Sequence, residues 1–217
     1  MVTADLAAPD PSVLESAVHG ADAVLSGLGP RSAADAGITA PGTEAVIRAM
    51  QATGVRRVVV VSAAPVGTVP SLGRPKPPRH DPGDGFFMRH LFSRVVRAAF
   101  RRHYADLALM EDLLRDSGLD WTVVRPPRLT DKPLSGSYRT AYEQNVRGGW
   151  QVSRADVAHL MLRVLERSSG TGARRRSPPR STRCSPAHRG PWAPRSSEVP
   201  PGSGHGRRRS STISYRP

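Results

Sequence analysis

Hydrophobic residues recur with two periods along the first three-quarters of the chain. "RRVVVVSAA", from Arg56 to Ala64, is a continuous apolar run, the mark of a strand buried on both faces of a parallel sheet. "DAVLSGLG" (Asp22 to Gly29) is a shorter apolar strand that opens into a Gly-rich turn. "LDWTVVR" (Leu119 to Arg125) is a third, rich in β-formers and stopped by Pro126 and Pro127. "MVTADL" reads as a short strand ending on Asp5. Tyr138 to Tyr142 and Gly149 to Val152 read as two more short strands.

Between the strands the apolar spacing changes to that of helices. "DPSVLESAVHGAD" has Pro11 at a first helical position and Gly20 to close it. "GTEAVIRAMQATGV" places Ala45, Val46, Ala49, Met50 and Thr53 on one face and stops at Gly54. A Pro/Gly loop (65–85) precedes a long helical region, Phe86 to Ser117. "SRADVAHLMLRVLE" is the last helix, with Ser153 as N-cap and Asp156 three residues on, a variant of the capping box. Repeated β-α-β units predict an α/β fold with a doubly wound parallel sheet. In such sheets ligands bind beyond the carboxyl ends of the strands. Three strand ends are therefore candidates: "SGLGP", "SAAPVG" and "RPPRLTD".

Composition divides the chain in two. From Ser168 to Pro217 there are 11 Arg and one acid, Glu198, with no apolar periodicity. The preceding 167 residues hold 21 basic and 17 acidic side chains, so the formal charge of +14 mostly describes the tail. We expect one domain over residues 1–167 and a disordered Arg/Pro/Ser-rich tail over 168–217, since such a composition buries too little apolar surface to offset the entropy of ordering. The Arg clusters at 174–176 and 207–209 would bind polyanions non-specifically at low salt. A lone cysteine, Cys184, excludes an intramolecular disulfide and makes a reducing cytoplasm the default. No apolar run approaches the ~20 residues of a membrane span. The seven histidines show no metal-ligand spacing with one another or with Cys184. Arg94, Arg97, Arg101 and Arg102 form a basic stripe that reads as a solvated face.

"DSGLDWTVVRPPRLTDKPLSGSYR" resembles the atypical short-chain dehydrogenase/reductase superfamily, in its NAD(P)H-binding, NmrA-like and flavin-reductase-like branch. "TADLAAPDPSVLESAVHGADAVLSGLGP", "GTEAVIRAMQATGVRRVVVVSAA", "ADLALMEDLLRDSG" and "SRADVAHLMLRVLE" agree in order and spacing, so the resemblance covers Val2 to Glu166. It implies a Rossmann-like domain binding NADP or NAD and a small-molecule substrate. It implies adenine contacts at Asp5 and Leu6, and a ribose and pyrophosphate turn at Gly27, Leu28 and Gly29. It places Ser62, Ala63, Pro126, Pro127 and Arg128 near the nicotinamide, with Ser62 as the candidate catalytic group. The Tyr-x-x-x-Lys pair of many dehydrogenases is broken, because Ala108 follows Tyr104 by four.

Similar proteins open with a strand, a Gly-rich turn, a helix and a second strand, and no G-x-x-G-x-x-G occurs between a strand and a helix here. The sequence begins at what looks like the third strand of that pattern. We therefore expect an N-terminally truncated domain that binds NAD(P)H poorly by itself. The abrupt change at Ser168 favours a frameshift over a natural basic tail. The resemblance implies NAD(P)H-dependent reduction of a flavin, quinone or similar molecule. The alternatives are an NAD(P)-sensing regulator without catalysis, and a nucleic-acid binder acting through the tail.

Overall fold

The computed structural model of the chain describes residues 2–30, 32, 35–82, 100–170 and 209–214. Its main sheet has five strands. β1 (Val24–Ser26), β2 (Arg57–Val61) and β3 (Asp120–Arg125) run parallel and adjacent, in the order the apolar runs predict. Beyond β3 lie β7 (Arg209–Ser214), parallel to it, and then β5 (Arg139–Tyr142), antiparallel to β7. A separate parallel pair joins β4 (Arg128–Thr130) to β6 (Gln151–Ser153).

β2 shows why its sequence is an unbroken run of valines. Successive side chains point to opposite faces. Val58 and Val60 join Trp121 and Val123 in a core under α1 (Pro11–Val18), α2 (Thr39–Thr53) and α3 (Arg101–Asp116). Val59 joins Val124 and Val152 in a second core closed by Val157, Leu160 and Met161 of α4 (Arg154–Gly170). Both faces are apolar, so no polar alternation is left to read. This is a Rossmann-like arrangement of helices about a mostly parallel sheet.

Local chemistry sets the helix ends. Asp10 accepts a hydrogen bond from Ser12 N ahead of Pro11, and Gly54 closes α2 in the left-handed region (φ 78°) that glycine adopts without a Cβ penalty. α2 begins three residues before Gly42, and Ile38 offers its first turn no side-chain cap. The missing cap comes from α3. Asp106 accepts from Thr39 N (2.9 Å) and Ala40 N (3.0 Å), so a carboxylate sits on the positive end of the α2 dipole. At α4, Ser153 Oγ accepts from Asp156 N (2.9 Å) as expected. The Asp156 carboxylate does more than close a capping box. It accepts from the Ser153 hydroxyl and from Ser135 N and Gly136 N, docking the 131–138 loop on the helix.

One expectation changes, and two others fall largely outside the described residues. Val2 to Asp5 form no strand: they pair with no described strand, and β1 ends the sheet on that side among the described residues. The helix expected from Phe86 is described only from Arg101. Of the tail expected to lack structure, 171–208 and 215–217 lie outside the described residues, whereas Ser168 to Gly170 finish α4 and Arg209–Ser214 form β7. The pairing of β7 with both β3 and β5 supplies backbone partners that its composition does not announce.

Burial pushes the Asp156 pKa up, but the hydrogen bonds from Ser153, Gly136 and Ser135 outweigh this and hold it below the ordinary carboxylate value. A depressed carboxylate stabilises the fold above its unfolded pKa and loses that contribution as pH falls through its folded value. Asp156→Asn should therefore cost about 1–3 kcal/mol at pH 7. The gap to the parent should shrink below about pH 4. Urea melts of both proteins from pH 7 to pH 2 measure this, and a gap independent of pH would contradict the assignment.

Candidate functional site

The carboxyl ends of β1 and β2 open into a cleft of about 710 Å³. Gly27, Leu28, Gly29 and Pro30 line it after β1, Val61 and Ser62 at the end of β2, and Phe100, Arg102, His103 and Leu107 from the start of α3. Its size lies within the roughly 300–1,000 Å³ of small-molecule sites.

The turn after β1 is positioned by close packing. A Cβ built on Gly42 would stand 2.7 Å from Leu28 Cδ2 and 3.4 Å from Leu6 Cβ. A side chain at 42 would have to push the Leu28 side chain aside, so the glycine lets α2 pack closely under the turn. Gly27 and Gly29 have nothing within 4 Å of the position a Cβ would take, so their backbone is bare toward open space.

Ser62 follows β2 and extends its ladder: Ser62 N donates to Val124 O (2.8 Å) and Ala64 N to Pro126 O (3.0 Å). Pro126 has no N–H, but its carbonyl still pairs, which explains how β3 ends on proline without a buried orphan. The chain then leaves the cleft, with Arg128 N reaching Trp150 O as β4 pairs with β6. Leu129 is the residue of this segment that lines the cleft.

Beneath Ser62 lies a buried charge network. Glu111 of α3 is 2% exposed and Arg125 of β3 is 7% exposed. Arg125 Nε donates to Glu111 Oε1 (2.9 Å) and its Nη2 to Oε2. The Ser62 hydroxyl donates to Oε1 (2.8 Å), and Arg115 Nη2 to Oε2 (3.2 Å). Burial alone would lower the Arg125 pKa, but hydrogen bonds to Glu111, the Glu111 charge and Asp81 raise it, so the guanidinium stays charged. Removing one partner of such a pair strands the other at a cost of ~3–5 kcal/mol. The same network fastens the Pro/Gly loop: Asp112, paired with Arg115, accepts from Gly73 N (2.9 Å), and Asp81 accepts from Asn145 N (2.7 Å).

Of the ten residues expected at the site, Gly27, Leu28, Gly29 and Ser62 line the cleft. Ala63 packs against the core beside Ser62 and precedes the short 3₁₀ turn Ala64–Thr68. Leu6 meets Leu28 over Gly42, and Asp5 Oδ1 accepts from Ala7 N (2.8 Å) in a local turn. Pro126, Pro127 and Arg128 do not line it. Arg102 and His103 were not expected there; the recurrence of Phe100, His103 and Leu107 on one helical face is the signal for them. Arg94 and Arg97 of the basic stripe lie outside the described residues. Burial lowers the His103 pKa, a nearby Asp106 opposing it, and its buried Nδ1 has no partner. Tyr104 is pushed upward by burial, away from the acidity a proton-donating tyrosine needs.

Bare glycine backbone and a cationic Arg102 suit an extended, polar, anionic ligand. The N-terminus of α2 does not serve it, since Asp106 holds two of its N–H groups. Among the described residues no group of acidic, His or Cys side chains suits a metal ion, and no helix is long and apolar enough to cross a membrane. Gly27→Val projects into open space. It should leave the denaturation midpoint unchanged within about 0.5 kcal/mol. It should weaken nicotinamide-nucleotide binding at least ~10-fold by filling the turn; equal binding by both proteins in a fluorescence titration would remove this turn from the site.

Comparisons with known proteins bear on the fold and the family. A short-chain dehydrogenase/reductase structure from Veillonella parvula DSM 2008 superposes with a TM-score of 0.59 over 99% of this chain and 71% of that one, at 17% identity. The anaerobillin reductase ChuY from Escherichia coli O157:H7 gives 0.55 over 75% and 66%, at 22% identity. Both show a shared fold. The UPF0659 protein C216.03 of Schizosaccharomyces pombe is 28% identical over 117 residues, which are 54% of this chain and 44% of that protein. The chain thus matches less than half the length of this curated relative. A family model described as NAD(P)H-binding matches residues 1–168. The chain belongs to that NAD(P)H-binding family and has a Rossmann-like fold.

Proposed function

We propose that the chain carries the nucleotide-binding part of an NAD(P)H-dependent reductase whose acceptor is a flavin, a quinone or a similar small conjugated molecule. The observation that carries this is the convergence of Gly27–Gly29 and Ser62 on one cleft beyond the ends of β1 and β2. In this reading the backbone N–H groups of the Gly27–Gly29 turn and the Arg102 guanidinium receive the ribose and phosphates. Asp5 and Leu6 flank the adenine side. Ser62 and Ala63 meet the nicotinamide, with Leu129 on the cleft wall beside it. The bound cofactor, NADP or NAD, supplies a hydride.

The acceptor class is argued from the acids at hand. Tyr104 is raised by burial and has Ala108 where a lysine would lower it. The Ser62 hydroxyl is bonded to Glu111. A flavin or quinone needs neither group, because it takes its protons from water after hydride addition. NADPH and NADH oxidation by the full chain, followed at 340 nm with a flavin and with a quinone, tests the proposal. We expect saturable but weak oxidation, with a KM at or above the ~1 mM upper end of ordinary enzymes, because no Gly-rich strand–helix turn is present to grip the pyrophosphate. Folded protein that neither binds nor oxidises either cofactor would overturn it.

A further inference from the structure

The buried network fixes more than the fold: it fixes which way the Ser62 hydroxyl faces. An ionised carboxylate only accepts, and it offers about four lone-pair positions. Glu111 receives four donors: Arg125 Nε (2.9 Å) and the Ser62 hydroxyl (2.8 Å) at Oε1, Arg125 Nη2 and Arg115 Nη2 (3.2 Å) at Oε2. Were Ser62 to turn its proton elsewhere, an oxygen lone pair would face Oε1 at 2.8 Å. The proton is therefore committed inward, and the remaining valence of Ser62 Oγ is acceptor only. Its backbone is equally constrained, since Ser62 N donates to Val124 O.

We infer that Glu111 is a positioning residue that makes Ser62 a hydrogen-bond acceptor toward the cleft, so that the group seated above the end of β2 is an N–H donor. This rests on the reading of the cleft as a nicotinamide-nucleotide site. It removes Ser62 as a proton donor and gives it a binding role. Two sources share the required chemistry: the carboxamide N–H2 of the nicotinamide, and a ring N–H of an acceptor such as a flavin. Arg125 and Arg115 act through Glu111, by filling its remaining lone-pair positions.

The test has an arm that needs no cofactor. In proton NMR of the cofactor-free full chain, the Ser62 hydroxyl should give a slowly exchanging resonance that disappears in Ser62→Ala. A hydroxyl proton exchanging at the solvent rate would overturn the inference, whatever the fate of the reductase reading.

The second arm compares NADPH with its acetylpyridine analogue, in which methyl replaces the carboxamide N–H2. The parent should bind NADPH about fivefold to tenfold more tightly than the analogue, the usual yield of one hydrogen bond, and Ser62→Ala should bind both alike. If Ser62→Ala leaves NADPH binding unchanged but raises KM for a flavin and not for a quinone without N–H, the acceptor is the donor source and the inference stands. A Ser62→Ala protein with neither effect, or with a lowered kcat and an altered pH profile, would overturn it. Glu111→Gln places an amide N–H2 against two of the four donors, most easily at the Oε1 position, where Ser62 can turn to accept. It should abolish the slow hydroxyl resonance and bring the preference for NADPH over the analogue toward one. Should that variant not fold, the Ser62→Ala comparison and the hydroxyl resonance decide alone. A parent that binds neither nucleotide would refute the proposed function while leaving the NMR arm to decide the role of Glu111.

Discussion

The ion pair between Arg125 and Glu111 is the constraint on which the rest of the site depends. Arg125 ends the central strand β3, and Glu111 lies on the helix that covers it. Two buried charges survive only if each is fully hydrogen-bonded. That requirement locks α3 in register against the sheet, sets Ser62 at the end of β2, and recruits Arg115 and Asp112 to hold the 65–82 loop. It also orders the cleft wall, because Phe100, His103 and Leu107 belong to the same helix as Glu111. A hydrophobic replacement of the pair would suit the core as well, yet would leave Ser62 without its partner. Asp106, a turn and more before Glu111 on α3, repeats the device by closing the N-terminus of α2. α3 thus reaches both neighbours through carboxylates.

Much of this architecture was legible in the sequence, and the legible parts share a cause. β2, β3, α4 and the Ser153–Asp156 cap are local patterns, set by side-chain period and by residues three apart. What was not legible depends on partners distant in sequence. Arg125 reads as a polar stop before two prolines; its burial follows only once Glu111, fourteen residues earlier, is brought beneath it. α2 starts early because its cap is 67 residues away. β7 lies in Arg- and Ser-rich text whose only strand signal is the β-branched pair Thr212 and Ile213.

The candidate site divides along the same line. Gly27, Leu28, Gly29 and Ser62 were found because strand ends in α/β sheets are predictable places for ligands. Arg128 was placed toward the cofactor by resemblance, but here the strand pairing of β4 with β6 carries it aside and leaves Leu129 facing the cleft. His103 was passed over among scattered histidines, since only the helix phase of α3 brings it to the wall. What the geometry adds to the family is a cleft walled by a glycine turn, Ser62 and the start of α3, while Asp106 holds two N–H groups at the start of α2.

The central claim is that a nicotinamide nucleotide lies across the ends of β1 and β2. Titration of NADPH into the ¹⁵N-labelled full chain, followed by amide chemical shifts, tests it most directly. The account predicts saturable shifts at Gly27, Leu28, Gly29, Ser62, Ala63, Arg102 and His103, with α4 and the Ser135–Gly136 loop unmoved. Shifts confined to residues away from the cleft, or none at millimolar NADPH, would contradict it.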